Sequence, residues 1–372
     1  MNPPQASDWS TAYSPDYLTA RTRLLGLAES LGDAHDAWPL DQQGPTGEPL
    51  TIDLVRLGSS QARRLLVISS GLHGVEGYFG SAVQLAFATR LKPPSPDMAV
   101  VLLHALNPFG FAWRRRFDAE NIDPNRNFLL PGEEYRGAPP LYGPIYQLFR
   151  MDVPPLRFNP GQAARVAYII ARYGLHQLRL TIPVGQYEFP LGPFFGGKGP
   201  CATQRLLATH LDPHWQHAEE IIHVDLHTGL GSWGRYKLLI DDQEESPKCT
   251  WWQQHFGTER VEVCQRTQTA YPARGSLGPW LCRRYAHLRY YYSTLEFGTY
   301  RPKKIMDALI DETRAFNCGL LSDPCYEWTR RQLMEVFVPA DPAWRHHTVR
   351  QAVEVLEECQ RLLTRPNGTY TP

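Results

Sequence analysis

Two histidines and one glutamate in this chain could together bind a catalytic metal ion. His73 and Glu76 lie within the segment Gly71–Gly77, and His227 follows far downstream. Two imidazoles and one carboxylate suit a catalytic zinc ion that keeps one position open for water. Each follows an apolar run and stands beside glycines, which permit sharp turns and close approach of a ligand. The sequence therefore predicts a zinc site where buried strands end.

A single His-x-x-Glu pair is weak evidence for a metal site, and the chain contains a second one. His217 and Glu220 lie in a polar stretch that the pattern predicts to be helical, so we interpret them as a solvated helix face. A histidine on a buried strand can also be a core residue whose ring is hydrogen-bonded to a backbone carbonyl instead of binding a metal. We expect this for His223. The glycine-rich turn after an apolar strand distinguishes His73 and Glu76.

Other polar residues at strand ends could complete an active site. Glu296 follows the predicted strand Tyr290–Leu295. Because an unpaired buried carboxylate is costly, we predict that Glu296 acts beside a metal or a water molecule. The basic run Arg114–Arg116 and the pair Asn125–Arg126 follow another strand. The run could be a solvated turn, but guanidinium groups also suit a carboxylate or an oxyanion.

The elements that must position these residues alternate between strands and helices. Strand patterns occur at 50–57, 64–70, 98–104, 221–226, 236–240, 261–264 and 290–295, and helical patterns at 16–31, 79–87, 302–317 and 341–364. The first of these strands alternates like an edge strand. Strand–helix–strand order implies parallel pairing, so the site residues collect at the carboxyl edge of the sheet. We predict an α/β fold with a mostly parallel or mixed central sheet flanked by helices.

The domain organisation is expected to be simple. We predict one catalytic domain over residues 1–372, with an insertion at about 129–219 where proline- and glycine-rich loops alternate with helical pieces near 160–176 and 202–220. No flexible linker or shift in composition separates the insertion from the rest. Long loops near active sites are often lids.

Composition excludes several classes of partner. Lys plus Arg and Asp plus Glu both number 38, so nothing indicates binding to nucleic acid or to an anionic membrane surface. The seven cysteines include no Cys-x-x-Cys pair, which argues against a thiolate zinc site. The N-terminal residues have no signal-peptide pattern, and no window is apolar enough to span a membrane. We predict a cytoplasmic protein.

The motifs together resemble the zinc carboxypeptidase superfamily, which includes aspartoacylase and succinylglutamate desuccinylase enzymes, and in particular an uncharacterised bacterial carboxypeptidase-like branch. The resemblance covers roughly residues 50–300. It implies a zinc-exopeptidase architecture and one bound zinc ion. The motifs that carry it are 70–77, 107–110, 123–128, 225–229 and 296–299.

The resemblance also implies roles for individual residues. His73, Glu76 and His227 would bind zinc, and Glu296 would be the general base. Arg116 would stabilise the oxyanion. Asn125 and Arg126 would bind a carboxylate of the substrate. Asp123 and Asp225 would orient the zinc-binding histidines. Tyr271 would match a tyrosine near the leaving group.

Two positions depart from the family pattern. Pro124 stands where leucine is usual, and a residue before proline avoids the helical region, which affects the orientation of Asp123. Asp118 stands where asparagine is usual, close to Arg116. That charge could weaken the oxyanion role of Arg116 or shift it to Arg115, which we also count among the candidate substrate-binding residues.

These expectations lead to three hypotheses of function. The first is zinc-dependent hydrolysis of a peptide or amide bond next to a free carboxylate. The second is an N-acyl amino acid deacylase that uses the same metal with a short acyl pocket. The third is a catalytically inactive ligand-binding homologue, which would be recognised by a lost ligand or base, and no such loss occurs here.

Overall fold

A computed structural model describes residues 8–31, 34–92, 94–158, 160–242, 244–264 and 273–364 of the chain. Within these residues, eight strands form one sheet in the order β1-β2-β4-β3-β5-β8-β6-β7. The strands are β1 (Ala34–Gln43), β2 (Pro49–Gly58), β3 (Arg64–Ser70), β4 (Met98–His104), β5 (Glu220–Trp233), β6 (Tyr236–Ile240), β7 (Val261–Val263) and β8 (Arg289–Gly298).

The sheet is mixed, as expected. The central strands β4, β3, β5 and β8 pair in parallel. Antiparallel pairs join β1 to β2, β2 to β4 and β6 to β8, and β7 pairs with β6 in parallel. The strands β3 and β4 are apolar and buried along most of their length, which is typical of strands covered on both faces. The predicted fold class is therefore confirmed.

The helices cover both faces of this sheet. They are α1 (Tyr17–Leu31), α2 (Gly77–Ala88), α3 (Pro108–Trp113), α4 (Tyr142–Phe149), α5 (Pro160–Arg179), α6 (Ala202–His210), α7 (Asp212–Trp215), α8 (Pro247–Phe256), α9 (Leu277–Arg284), α10 (Pro302–Asn317), α11 (Glu327–Phe337) and α12 (Pro342–Thr364). No helix among the described residues combines the length and apolar character needed to cross a membrane.

Side chains of β3 alternate between two apolar cores. Leu66 and Ile68 join the core that contains α1, α2, α10, α11 and α12. Leu65 and Val67 join the opposite core, with α6, α7 and α9. The alternation follows from the two-residue period of a strand, and burial on both faces holds the strand ends rigidly in place.

Two expectations about elements were wrong. The segment 50–57 is not an edge strand, because β1 pairs outside it with Trp38 opposite Ile52. The sequence gives little sign of β1, because this strand is mostly exposed and contains Pro39, so the segment 50–57 looked like the edge. The helix expected over 202–220 ends at Trp215, and Glu220 already begins β5. His217 is exposed, so its interpretation as a solvated residue holds although it lies outside a helix.

Candidate metal centre and active site

The sheet brings the predicted ligands to one edge. Ser70 at the end of β3 is the register partner of Leu226 on β5, so the turn that contains His73 starts beside His227. Parallel strands end at the same edge, and residues far apart in sequence meet there. On the other side of β5, where it pairs with β8, His227 is the register partner of Glu296.

Three side chains converge as a metal-binding set. The ligand atoms of His73, Glu76 and His227 all lie within 4.8 Å of one another, and the three residues are buried. Glu76 Oε1 is 2.9 Å from His73 Nδ1, and Glu76 Oε2 is 3.0 Å from His227 Nδ1. The two Nδ1 atoms are 3.1 Å apart. Both imidazoles therefore present the same ring nitrogen to one carboxylate.

The other ring nitrogen of each histidine lies near a buried aspartate, and that of His73 also lies 2.8 Å from Arg116 Nη2. Asp123 Oδ1 is 3.3 Å from His73 Nε2, and Asp225 Oδ2 is 2.7 Å from His227 Nε2. Asp225 in turn accepts hydrogen bonds from Ser69 and Tyr292. A carboxylate on the far nitrogen fixes the tautomer of a metal-binding histidine and raises its basicity.

Glycines let the ligand turn pack closely. Gly71 has φ +66°, a conformation that favours glycine, and its carbonyl accepts a hydrogen bond from Asn107. A Cβ atom on Gly74 would lie 2.1 Å from the Gly110 carbonyl carbon. The start of α3, in the motif 107–110, therefore packs directly against the turn in the motif 70–77 that carries His73 and Glu76.

Electrostatics at the cluster favour a bound cation. Burial alone would raise the pKa of Glu76, yet the two histidines hold this pKa well below its usual range. Burial opposes protonation of His227, but Asp225 and Glu76 outweigh it and raise the pKa well above 6.5. With Asp123, three carboxylates surround the site against the one guanidinium of Arg116. This donor set and charge fit a divalent ion such as zinc.

Glu296 lies beside this cluster and is only 5% exposed. Its Oε1 accepts a hydrogen bond from the Leu230 backbone N–H at 2.8 Å. Burial, reinforced by the charge of Glu76, raises the pKa of Glu296 to about 7. A carboxylate with a pKa near neutrality can both accept and return a proton, which is what a general base requires.

Arg116 joins the cluster through its guanidinium. Nη1 donates to Glu76 Oε1 at 3.0 Å, and Nε lies 3.4 Å from Asp123 Oδ2. The rings of Phe194 and Phe337 each lie 5.5 Å from the guanidinium carbon. Neither phenylalanine was among the predicted site residues. Phe194 lies in the segment 129–219, which we predict to be an insertion, and Phe337 lies at the end of α11. No local motif marks either residue.

Asn125 and Arg126 follow Asp123 directly and are held by backbone groups. Asn125 Oδ1 accepts from the Leu277 N–H at 3.0 Å. Arg126 Nε and Nη2 both donate to the Pro183 carbonyl, at 2.9 and 2.7 Å. Their role as a grip on a substrate carboxylate stays a prediction. Tyr271, the other candidate catalytic residue, lies outside the described residues.

Arg115 takes a different direction from Arg116. Its side chain is fully buried, Nε donates to Glu312 Oε1 at 2.6 Å, and its guanidinium lies 3.4 Å from the ring centre of Phe316. This guanidinium is paired with α10 and is closed off from solvent. The position of Arg115 therefore gives no support to the substrate-binding role, and of the two arginines only Arg116 meets the cluster.

The two departures from the family pattern are accommodated locally. Asp123 has the extended conformation expected before proline (φ −78°, ψ 107°) and faces His73. The Asp118 carboxyl accepts from the N–H groups of Glu120 and Ile122, and burial raises its pKa to about 7. Asp118 therefore stabilises a turn, and no ion pair between its side chain and Arg116 is found among the described residues.

Comparison with solved structures finds similar folds. A protein of Shewanella amazonensis SB2B, described only provisionally as a metallopeptidase, is 16% identical over 87% of this chain and 94% of its own, with a TM-score of 0.42. Carboxypeptidase A of Helicoverpa armigera is 11% identical over 86% and 77%, with a TM-score of 0.47. At these values the similarities carry no conclusion about activity.

A third neighbour comes from the desuccinylase side. It is another S. amazonensis SB2B protein, assigned provisionally to the succinylglutamate desuccinylase/aspartoacylase family, at 20% identity over 76% of this chain and 71% of its own and a TM-score of 0.37. Among curated proteins, no match to this sequence is found.

The comparison with protein families gives one further match, which spans residues 13–351. It reaches beyond the roughly 50–300 covered by the motifs and takes in α1, β1, α10, α11 and the first part of α12. The chain therefore belongs to the family described as "Protein of unknown function (DUF2817)".

Proposed function

We propose that this protein is a zinc-dependent hydrolase that cleaves a peptide or amide bond next to a free carboxylate. The observation that carries the proposal is the paired orientation of His73 and His227. Each turns Nδ1 towards Glu76 and Nε2 towards a buried aspartate. A purely structural histidine pair would not need two aspartates and a shared carboxylate at its centre.

The metal would be held by His73, Glu76 and His227. When bound, zinc would supply a Lewis acid that polarises a substrate carbonyl and lowers the pKa of water. Asp225 would keep the His227 ring in the binding tautomer. With the metal on Nδ1, His73 would carry its proton on Nε2 and donate it to Asp123, in place of the present contact with Arg116 Nη2. The burial of all five side chains excludes bulk water, which strengthens the electrostatic interactions within the site.

Glu296 would move the proton. Its carboxylate, held in place by the Leu230 N–H, accepts a proton from the attacking water as the oxygen bonds to the carbonyl carbon. The same proton then passes to the leaving nitrogen as the carbon–nitrogen bond breaks, so Glu296 ends the cycle ionised. A pKa raised to about 7 suits both transfers.

Arg116 would meet the developing oxyanion. It is held at the cluster by Glu76 and Asp123 and lies between two aromatic rings. A positioned donor of this kind contributes roughly 3–4 kcal/mol to transition-state stabilisation in other enzymes. Arg126 and Asn125, next in the chain after Asp123, would bind the free carboxylate of the substrate.

The test is metal analysis of purified protein combined with substrate profiling. We expect about one zinc ion per chain, together with zinc-dependent release of C-terminal residues from peptides. Preferential hydrolysis of N-acyl amino acids would instead assign the deacylase activity. A protein that binds zinc but hydrolyses neither class would favour the ligand-binding alternative, and a protein that does not bind zinc would overturn the proposal.

A further inference from the structure

A cavity lies next to the candidate catalytic centre but does not include it. It has a volume of about 280 Å³ and is bordered by the N-terminal segment, α2, the α3 turn, α11 and α12. Its charged lining residues are Arg114, Arg331, Glu335 and Arg345. Three arginines thus face one carboxylate within the cavity.

The single carboxylate of the lining already has other partners. Glu335 accepts hydrogen bonds from the Tyr300 hydroxyl and from the Ala340 N–H. Outside the lining, Glu327 pairs with Arg114 at 2.8 Å, lies 3.5 Å from Arg331 and also pairs with Arg330. Glu327 is therefore shared by three guanidinium groups, and the charge of Asp16 also acts on Arg114. With Glu335 and Arg345 included, four arginines stand against three carboxylates around the cavity.

Arg345 is held in place without a counter-charge. Its Nε donates to the Pro339 carbonyl at 2.9 Å, and its guanidinium carbon lies 4.7 Å from the ring centre of Tyr13. Within the described part of the chain, no carboxylate forms an ion pair with it. A guanidinium fixed by a carbonyl and a ring, with donors left over, is suited to bind an anion.

Apolar groups complete the wall of the cavity. Pro15, Met334 and Val338 line it beside the arginines. An inorganic anion would leave these groups in contact with nothing but water, whereas an organic anion covers them with its carbon chain. The lining therefore matches a small carboxylate whose carbon chain packs against these apolar groups.

The cavity shares its supporting segments with the catalytic cluster. The segment of Glu76 continues to Tyr78, and that of Arg116 begins at Arg114. At the end of α11, Phe337 packs on Arg116 while its neighbour Val338 lines the cavity. A ligand in the cavity would thus contact three segments that also carry groups of the cluster.

We propose that this cavity is a second binding site, which takes a small organic anion bearing a carboxylate group. Arg345 and Arg331 bind the carboxylate, and Met334 and Val338 contact the carbon chain. The site is defined by binding alone, so the inference does not depend on the proposed hydrolase activity.

The test uses isothermal titration calorimetry, in which succinate is added to the zinc-treated full chain at constant ionic strength. Succinamide, which has the same carbon chain without charge, is the matched ligand control. We expect saturable succinate binding and none with succinamide. In Arg345→Gln the dissociation constant should rise at least about tenfold. Arg361→Gln, an exposed arginine on the same helix, should bind succinate like the unchanged protein.

A second variant keeps the test decisive if Arg345→Gln does not fold. Ala340 is exposed at the cavity, and Ala340→Phe fills the space without removing a charge. It should also weaken succinate binding at least about tenfold. The proposal is overturned if succinate shows no saturable binding, if succinamide binds equally well, or if the folded cavity variants bind succinate as tightly as the unchanged protein.

Discussion

His227 and Glu296 are register partners on the neighbouring parallel strands β5 and β8. The ladder of main-chain hydrogen bonds therefore sets the distance between a candidate metal ligand and the candidate base, rather than any flexible loop. Side chains at directly paired positions lie on the same face of a sheet. This relationship underlies the first prediction.

Glu296→Gln should abolish hydrolysis while the protein still binds zinc. The amide keeps the size of the side chain but cannot accept the proton, so we expect turnover to fall about 10²–10⁴-fold. Zinc content and hydrolysis are measured on the same preparation. Glu220→Gln, at the opposite end of β5, is the control and should hydrolyse substrate normally. Unchanged hydrolysis in Glu296→Gln would falsify the assignment of the base.

Asp225→Asn should weaken zinc binding without removing a ligand. The aspartate lies 2.7 Å from His227 Nε2, and loss of such a partner costs about 10–100-fold in metal affinity. Competition with a chromophoric chelator measures the dissociation constant. Asp97→Asn makes the same change at the far end of the sheet, beside Arg63 and Arg64, and should leave zinc affinity unchanged. Equal affinities in both variants would exclude an orienting role for Asp225.

Zinc should stabilise the folded chain. Burying three carboxylates near one another is costly without a cation. A ligand that binds only the folded state, at a free concentration about 100 times its dissociation constant, adds about 2.7 kcal/mol to the free energy of unfolding. Thermal unfolding is compared with zinc and with a chelator present. His227→Gln should lose this difference, because one of the three ligands is missing. A chelator effect that persists in His227→Gln would place the stabilising ion elsewhere.

Arg115→Gln should affect stability rather than substrate binding. Arg115 and Glu312 form a fully buried ion pair, and removal of one partner leaves the other charge unpaired at a cost of about 3–5 kcal/mol. Urea unfolding measures this loss. Arg350→Gln breaks an exposed pair with Glu354 and should cost less than about 1 kcal/mol. A raised KM in folded Arg115→Gln, with unfolding unchanged, would restore the substrate-binding role.

Acid should destabilise the protein partly through His104. Burial lowers the pKa of His104 to about 4, and its Nε2 lies 3.0 Å from Ser81 Oγ. In the unfolded chain the pKa is about 6.5, so the unfolded state binds more protons between these values and stability falls as pH falls. From pH 7 to pH 5 this amounts to about 2 kcal/mol for one histidine.

The variant His104→Gln isolates this contribution. Its amide can still bond to Ser81 but does not titrate, so on going from pH 7 to pH 5 it should lose about 2 kcal/mol less than the unchanged protein. Urea unfolding at the two pH values gives the comparison. His223, whose pKa burial also lowers to about 4, remains in both proteins and contributes equally. Identical losses in the two proteins would contradict the buried neutral state of His104.

The sequence alone was sufficient to predict the elements that carry the site. Continuous apolar runs identified the central strands, and glycines after those runs identified the turns of His73 and His227. These features are local, because burial on both faces and sharp turns each restrict the residues that a short segment can contain. The same reasoning separated His73 from His217 and recognised His223 as a core residue, which bonds to Ser69 and Tyr290.

The tertiary structure alone decided which neighbours of the site take part. Arg115 and Arg116 are adjacent and chemically identical, and only the position of Glu312 on α10 draws one of them away from the cluster. Phe337 reaches Arg116 from α11, a helix with no motif of its own. Such contacts join residues far apart in the chain, so they depend on how whole helices pack on the sheet, which no local pattern encodes.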